Sequence, residues 1–296
     1  MFKLLVFLFL CLFFFMPDKG IGGVKDGLIL WYNAILPAQF PFVIGVRMFM
    51  KMVNFSNCSP ILFNFAAGMT AGYPVGSLIT AQLYRKGCIT KKNLTALAAF
   101  SNMAGPLFVV GTVGAVLLKN IYFGYILLMV HWISAAMLSI RLVFRERKMM
   151  LQDGKTVAKL QKHYVDVDRF GNAGLEKQAI GYLLGEAVEE TAQLMLKIAG
   201  FIVLFSVVKQ WIGGVAGALL EMSGGIRWLA DQDVDMRWKL VGCSFLINFS
   251  GVCIILQSLG MVQDCPISGL EYAGWKFLQG ILSAGIMLGI CQFLIL

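Results

Sequence analysis

Two asparagines, Asn102 and Asn248, stand inside apolar stretches and share a frame: Asn102-x-x-Gly105, eight residues, Gly114 matches Asn248-x-x-Gly251, eight residues, Gly260. A side-chain amide brings one donor group and one acceptor, which suits a nucleobase, a sugar hydroxyl or an ion equally well. Taken singly, either asparagine also fits a plainer role, capping a half-helix or gluing two helices together. The recurrence favours a site. Glu221 is an acidic residue flanked by glycine pairs at 213/214 and 224/225. Inside a bilayer its carboxylate would hold a proton or a cation, whereas at the end of an emerging segment it would simply be solvated. Gln257 either faces the same cavity or joins two helices. His131 reads as packed or interfacial, because no second histidine or cysteine is placed to join it, and Glu186, Glu189 and Glu190 read as a solvated face.

These groups sit where apolar chain is interrupted. Gly72-Tyr73-Pro74-Val75-Gly76 and Ser101-Asn102-Met103-Ala104-Gly105-Pro106 break two hydrophobic segments. Non-helical backbone in a bilayer must be buried in protein or line a wet cavity, since lipid satisfies no N–H or C=O. Half-helix N-termini attract anionic groups and unwound carbonyls hold cations, the construction used at secondary-transporter sites. The substrate-binding candidates are therefore Gly72, Tyr73, Pro74, Gly76, Ser101, Asn102, Gly105, Pro106, Glu221, Ser223, Asn248, Gly251 and Gln257. There is no HExxH, no GxSxG and no pair of intramembrane aspartates, so no enzyme, catalytic residue, metal set or cofactor is expected.

Composition supports a membrane setting. Of 296 residues, 58% are hydrophobic and 14% charged, with mean hydropathy +0.77; soluble domains carry about 25% charged and 45–50% apolar residues. The net charge of +9 gathers largely in two loops between apolar segments, where it reports the cytoplasmic side and not a nucleic-acid partner. Seven scattered cysteines without a CxxC pair read as small buried hydrophobes.

In chain order, residues 2–16 form a short, uncleaved first helix. Residues 28–50 make a span kinked by Pro37 and Pro41, with Arg47 and Lys51 anchoring one interface. Two arms, 61–71 and 77–86, each reach about 15 Å, half of a roughly 30 Å hydrocarbon core, and fit a re-entrant hairpin. An interrupted helix at 94–118 and a span at 121–144 follow, then a basic segment from Arg141 to Lys177 with nine Lys or Arg against five Asp or Glu. The second half repeats the order: a span at 179–208, a broken hairpin at 211–230, an interrupted helix at 238–262 and a span at 272–296.

The GYPVG run, the short basic loop from Arg85 to Lys92 and FSNMAGPLFVVGTVG resemble the sporulation integral membrane protein YlbJ family, a branch of the nucleoside-recognition Gate domain proteins. The resemblance is densest from Gly68 to Gly114 and continues through Glu221-Met222-Ser223-Gly224 and Asn248-Phe249-Ser250-Gly251 to Gln257. It implies two inverted gate repeats, each with a hairpin, a role in moving or sensing a small solute, expression during endospore formation and a contribution to spore cortex assembly. Two departures are visible: a shortened connection from Lys51 to Pro60, and Cys253 and Ile255 where more polar residues are usual.

With 61–86 as a re-entrant hairpin and a cytoplasmic N-terminus, both basic segments lie in the cytoplasm and each half holds an odd number of crossings, so the halves are inverted. The expected fold is an all-α integral membrane protein of two inverted-topology repeats, each with a re-entrant hairpin and an interrupted transmembrane helix. Its parts are an N-terminal membrane helix (1–17), a first gate repeat (28–144), a basic cytoplasmic linker (145–178) and a second gate repeat (179–296). The expected partners are the lipid bilayer and a small polar solute, coupled to a cation or proton, with sporulation membrane proteins as further candidates and no nucleic acid. The expected location is the bacterial inner membrane, multi-pass, of mother cell or forespore. A non-transporting scaffold for cortex-building enzymes is the alternative, with the basic linker carrying function in that case.

Overall fold

Pro17 begins a helix two residues after another ends. The computed structural model describes residues 2–52, 60–152 and 180–293. Helix α1 spans Phe2–Phe15 and α2 spans Pro17–Leu30, with proline in the first turn, where no N–H is needed. A wide turn at Trp31–Ile35 leads directly into α3, Leu36–Met52. The span expected from residue 28 therefore starts at residue 17. The intervening PDKGIGGVKDG has the weak helix propensity of a linker, but its glycines form a contact face. A Cβ added at Gly23 would lie 2.5 Å from Val207 Cα, and one at Gly27 2.8 Å from Val203 Cα, both on α9 (Ile180–Ile212). Close backbone approach through small residues is how helices associate in lipid, and here it overrides propensity. The expected proline disturbance falls in the wide turn, one turn before Pro37, whose missing N–H and bulky ring disturb the carbonyl of Asn33; Pro41 stays inside α3.

The first hairpin follows the expected arms: α4 is Pro60–Ala71, α5 is Val75–Arg85, and Gly72, Tyr73 and Pro74 form its tip. Helix α6, Lys91–Ser101, ends against both arms, since a Cβ at Gly68 or Gly76 would come within 1.9 or 2.0 Å of the Ser101 carbonyl oxygen. The backbone then turns extended at Asn102 and resumes as α7, Leu107–Leu117, a wide helix of π type. Helix α8, Ile121–Gln152, crosses α7 closely at Gly114 and Gly124. It continues past the expected end at residue 144 because the stretch through Gln152 is made of Arg, Glu, Lys, Met, Leu and Gln, all good helix formers. The basic linker thus starts within a helix; its remainder, 153–178, and the connection 53–59 lie outside the described residues.

After α9, a second hairpin is built from α10, Gly214–Leu220, and α11, Met222–Ala230, which meet at Glu221. Helices α12, Met236–Phe249, and α13, Gly251–Met261, are separated by Ser250 in a left-handed conformation (φ 74°). Helix α14 covers Gly269–Phe293. Among the described residues, five helical segments are long and apolar enough to cross a membrane: 17–50, 121–140, 180–212, 236–261 and 269–293. The protein is an all-α, multi-pass membrane protein. Arg47, expected to anchor an interface, instead donates from Nη1 to Glu190 on α9, so this part-buried pair joins α3 to the helix that opens the second half.

A polar seam between two broken helices

Ending α6 at Ser101 strands the carbonyls of its last turn, which need donors from elsewhere. Ser77 Oγ, on α5, donates to the Ala98 carbonyl at 3.1 Å. Lys276 Nζ, from α14, donates to the Asn102 carbonyl at 3.1 Å and to the Ala99 carbonyl at 3.5 Å. The Asn102 side chain donates from Nδ2 to Ser258 Oγ and to Tyr272 OH, each at 2.8 Å. The first break is thus held from its carbonyl side by α5, α13 and α14.

Its amide side is held by α8. His131 Nε2 accepts the Ala104 N–H at 2.9 Å, so that nitrogen bears no proton. The proton therefore sits on Nδ1, which donates to Asn248 Oδ1 at 2.7 Å. Asn248 Oδ1 also receives Ser134 Oγ at 2.9 Å and Gln279 Nε2 at 3.1 Å, while Asn248 Nδ2 donates to the Ser244 carbonyl at 2.8 Å. Gln279 Oε1 in turn accepts from Lys276 Nζ at 3.1 Å. A closed circuit results: Asn102 carbonyl, Lys276, Gln279, Asn248, His131, Ala104 N–H. Every one of these side chains is buried.

The hairpin tips join from the other side. Tyr73 OH donates to the Ile247 carbonyl at 2.7 Å, one of those released by the second break, and accepts from Ser250 Oγ at 2.7 Å. A cavity of about 30 Å³, room for a water-sized group, lies beside Tyr73 and is lined also by Gly105, Glu221, Ser223, Gln257 and Gln39. Both tips and the segments following both breaks thus contribute to one space. Gln39 Oε1 is buried there without a partner among the described residues. Glu221 is buried as well, and it caps α11: Oε1 accepts the Ser223 N–H at 2.8 Å and Oε2 the Gly224 N–H at 2.6 Å. It is neither a solvated end nor a carboxylate lacking donors.

The magnitudes explain why the seam survives in an apolar fold. A lysine at a helix centre in a bilayer costs about 3 kcal/mol on insertion scales. Hydrogen bonds to a charged group contribute about 1.5–3 kcal/mol each, so the three acceptors of Lys276 and the Tyr73 ring face 5.4 Å from its Nζ offset that cost.

Of the expected site residues, Tyr73, Gly105, Glu221, Ser223 and Gln257 line the cavity. Gly72 abuts it, since a Cβ there would lie 3.2 Å from the Gly105 nitrogen and 3.4 Å from Gln39 Nε2. Pro74 precedes α5 and Pro106 precedes α7. Gly76 and Ser101 are packing partners, with Ser101 Oγ on the Leu97 carbonyl and near Thr80 Oγ1. Gly251 packs on the second tip, 3.1 Å from the Met222 nitrogen to an added Cβ. Neither asparagine lines the cavity; both belong to the circuit beside it. The residues that sequence reasoning passed over are Lys276, Gln279, Tyr272, Ser258 and Ser134, and it discounted His131. One signal was available: Tyr272, Lys276, Gln279 and Ser283 recur at helical spacing and draw a polar stripe along the last span.

No family model and no solved structure matches the chain. Across 316 aligned residues it is 27% identical to the sporulation integral membrane protein YlbJ of Bacillus subtilis (strain 168), an alignment covering 90% of this chain and 76% of that relative. The similarity thus takes in both broken helices and both hairpins, and with them the residues that carried the resemblance. Over most of its length the chain is thus similar to a sporulation integral membrane protein.

Proposed function

We propose that the protein is a carrier-like membrane protein that moves or senses a small polar solute during endospore formation, with an effect on spore cortex assembly. One observation carries this reading: both hairpin tips and the segments following both helix breaks line one cavity, with the unpartnered Gln39 oxygen and the Gln257 side chain beside it. In the bilayer such irregular backbone is tolerated around a polar interior space, which is what a solute path needs. The reading assigns no catalytic step to the chain.

Two contacts support an inverted pairing of the halves. Arg85, at the end of α5 just before α6, pairs with Asp264 just after α13 at 2.6 Å, and the Ser268 N–H reaches Thr95 Oγ1 in α6 at 3.4 Å. The start of one broken helix lies beside the end of the other, and with Asn102 further along the first bonded to Ser258 earlier in the second this supports an antiparallel pairing.

The test replaces Gln39 and Gln257 together by leucine in a spore-forming host that lacks its own copy. The expected result is a loss of heat-resistant spores at an unchanged protein level. Normal spore counts from the double variant would refute the carrier reading. Replacing residues 153–178 by a neutral linker of equal length addresses the scaffold alternative, which requires that change and not the cavity change to abolish spores.

A further inference from the structure

Among the described residues no lysine or arginine other than Lys276 is buried, and its Nζ touches no carboxylate. Its acceptors are all neutral: two carbonyls released by the end of α6, at 3.1 and 3.5 Å, and the Gln279 side-chain oxygen at 3.1 Å. The face of Tyr73 lies 5.4 Å from it. Unwound carbonyls, an amide oxygen and an aromatic face make a shell for a dehydrated monovalent cation. Here the cation arrives on a side chain.

We propose that Lys276 is a built-in coupling cation: its ammonium fills a cation site made by the first helix break, and the proton on Nζ, in place of a free alkali ion, ties the two broken helices together. This rests on the carrier reading above and names its coupling ligand, a proton. The protonated group has three N–H donors for three acceptors. When one N–H bond breaks, its electron pair stays on nitrogen and the proton passes to water entering the seam. The neutral amine then has two donors and no charge, so one acceptor is left unmatched. Because Gln279 holds Asn248, the loosening reaches the second break.

The titratable neighbours are compatible with this role. The first hairpin brings Tyr73, α14 itself Tyr272, and α8 His131, which is neutral by its hydrogen bonds. The buried titratable groups of α12 and α13 are the thiols Cys243 and Cys253, and α6 carries Lys91 and Lys92 at its exposed start. None is a carboxylate that would hold the charge on Lys276 permanently.

The test is chemical rescue with the full chain in lipid nanodiscs. Lys276→Ala should unfold at a lower temperature than the unsubstituted protein, and ethylammonium or sodium chloride should recover about 4 °C or more relative to choline chloride at equal ionic strength. The unsubstituted protein should respond to none of these salts differentially. An unaltered unfolding temperature in Lys276→Ala, or a loss that no small cation recovers, overturns the proposal. Should Lys276→Ala not fold, Lys276→Arg decides, since arginine keeps its charge. Between about pH 6 and about pH 10 the stability of the unsubstituted protein should vary with pH in a way that Lys276→Arg, which keeps its charge, does not share. Equal slopes in the two overturn it. Neither readout involves spores, so failure here leaves the carrier reading standing and is told apart from failure of the spore test.

Discussion

His131 and Asn248 meet at 2.7 Å, Nδ1 to Oδ1, while the same imidazole accepts the Ala104 N–H, so one ring cross-links the two places where the helices are broken. An imidazolium would turn an N–H toward the Ala104 N–H and lose that bond. His131→Phe leaves the Ala104 amide orphaned and removes one of the donors on Asn248. At about 1–3 kcal/mol for each unsatisfied buried group, the loss should be roughly 2–4 kcal/mol, read as a lower unfolding temperature in nanodiscs. An unfolding temperature equal to that of the unsubstituted protein would show that the cross-link contributes nothing.

Glycines should divide sharply by what lies above them. Gly76→Ala drives a methyl to 2.0 Å from the Ser101 carbonyl and 2.7 Å from the Asn102 nitrogen, with only backbone to yield. Overpacking of that kind costs about 3 kcal/mol or more. Gly274→Ala, at an exposed position of α14, meets nothing within 4 Å and should gain up to about 1 kcal/mol from helix propensity. Thermal unfolding of the two variants side by side checks the contrast.

The Arg47–Glu190 pair joins α3 to α9, with both side chains partly exposed. Solvent screening limits its contribution to about 1 kcal/mol. Arg47→Glu or Glu190→Arg alone should reduce stability through like-charge contact, and the double exchange should recover part of the loss. A double variant no better than the worse single one would mean that the two charges do not act on each other.

At the start of α12, outside the membrane-spanning helices, the side-chain hydrogen bond from Arg237 holds the Asp235 carboxyl below the usual aspartate range, and the Arg237 backbone N–H adds to this. The folded value is the lower one, so this stabilisation is present above the ordinary aspartate value of about 3.9 and disappears as pH falls through the folded value. Asp235→Asn should flatten that part of the acid limb of a stability-against-pH curve. An unchanged acid limb would count against the assignment.

The interruptions were legible because glycine and proline in apolar chain leave backbone groups that lipid cannot satisfy; GYPVG, SNMAGP and NFSG mark the tip of the first hairpin and the two breaks. What the sequence hid has a common cause. The glycines of α2 look like a linker until Val203 and Val207 of α9 are seen against them. Lys276 stands near the start of its helix, where a lysine ordinarily reaches for the membrane surface, and only the stranded carbonyls of Ala99 and Asn102 give it a reason to turn inward. His131 has no metal-ligand companion, so ligand logic dismissed it; its role is defined by groups 27 and 117 residues away in sequence. Contacts of that kind come from tertiary assembly and leave no local pattern.

The N-terminal helices lean on the second half. Phe9 and Phe13 of α1 pack edge-on against Trp211, Gln210 donates to Asp26, and the α2 glycines rest on α9. Chain connectivity through the linker is therefore not what keeps the two halves registered: severed between residues 152 and 180 and made as separate polypeptides, they would still find one another through this clasp.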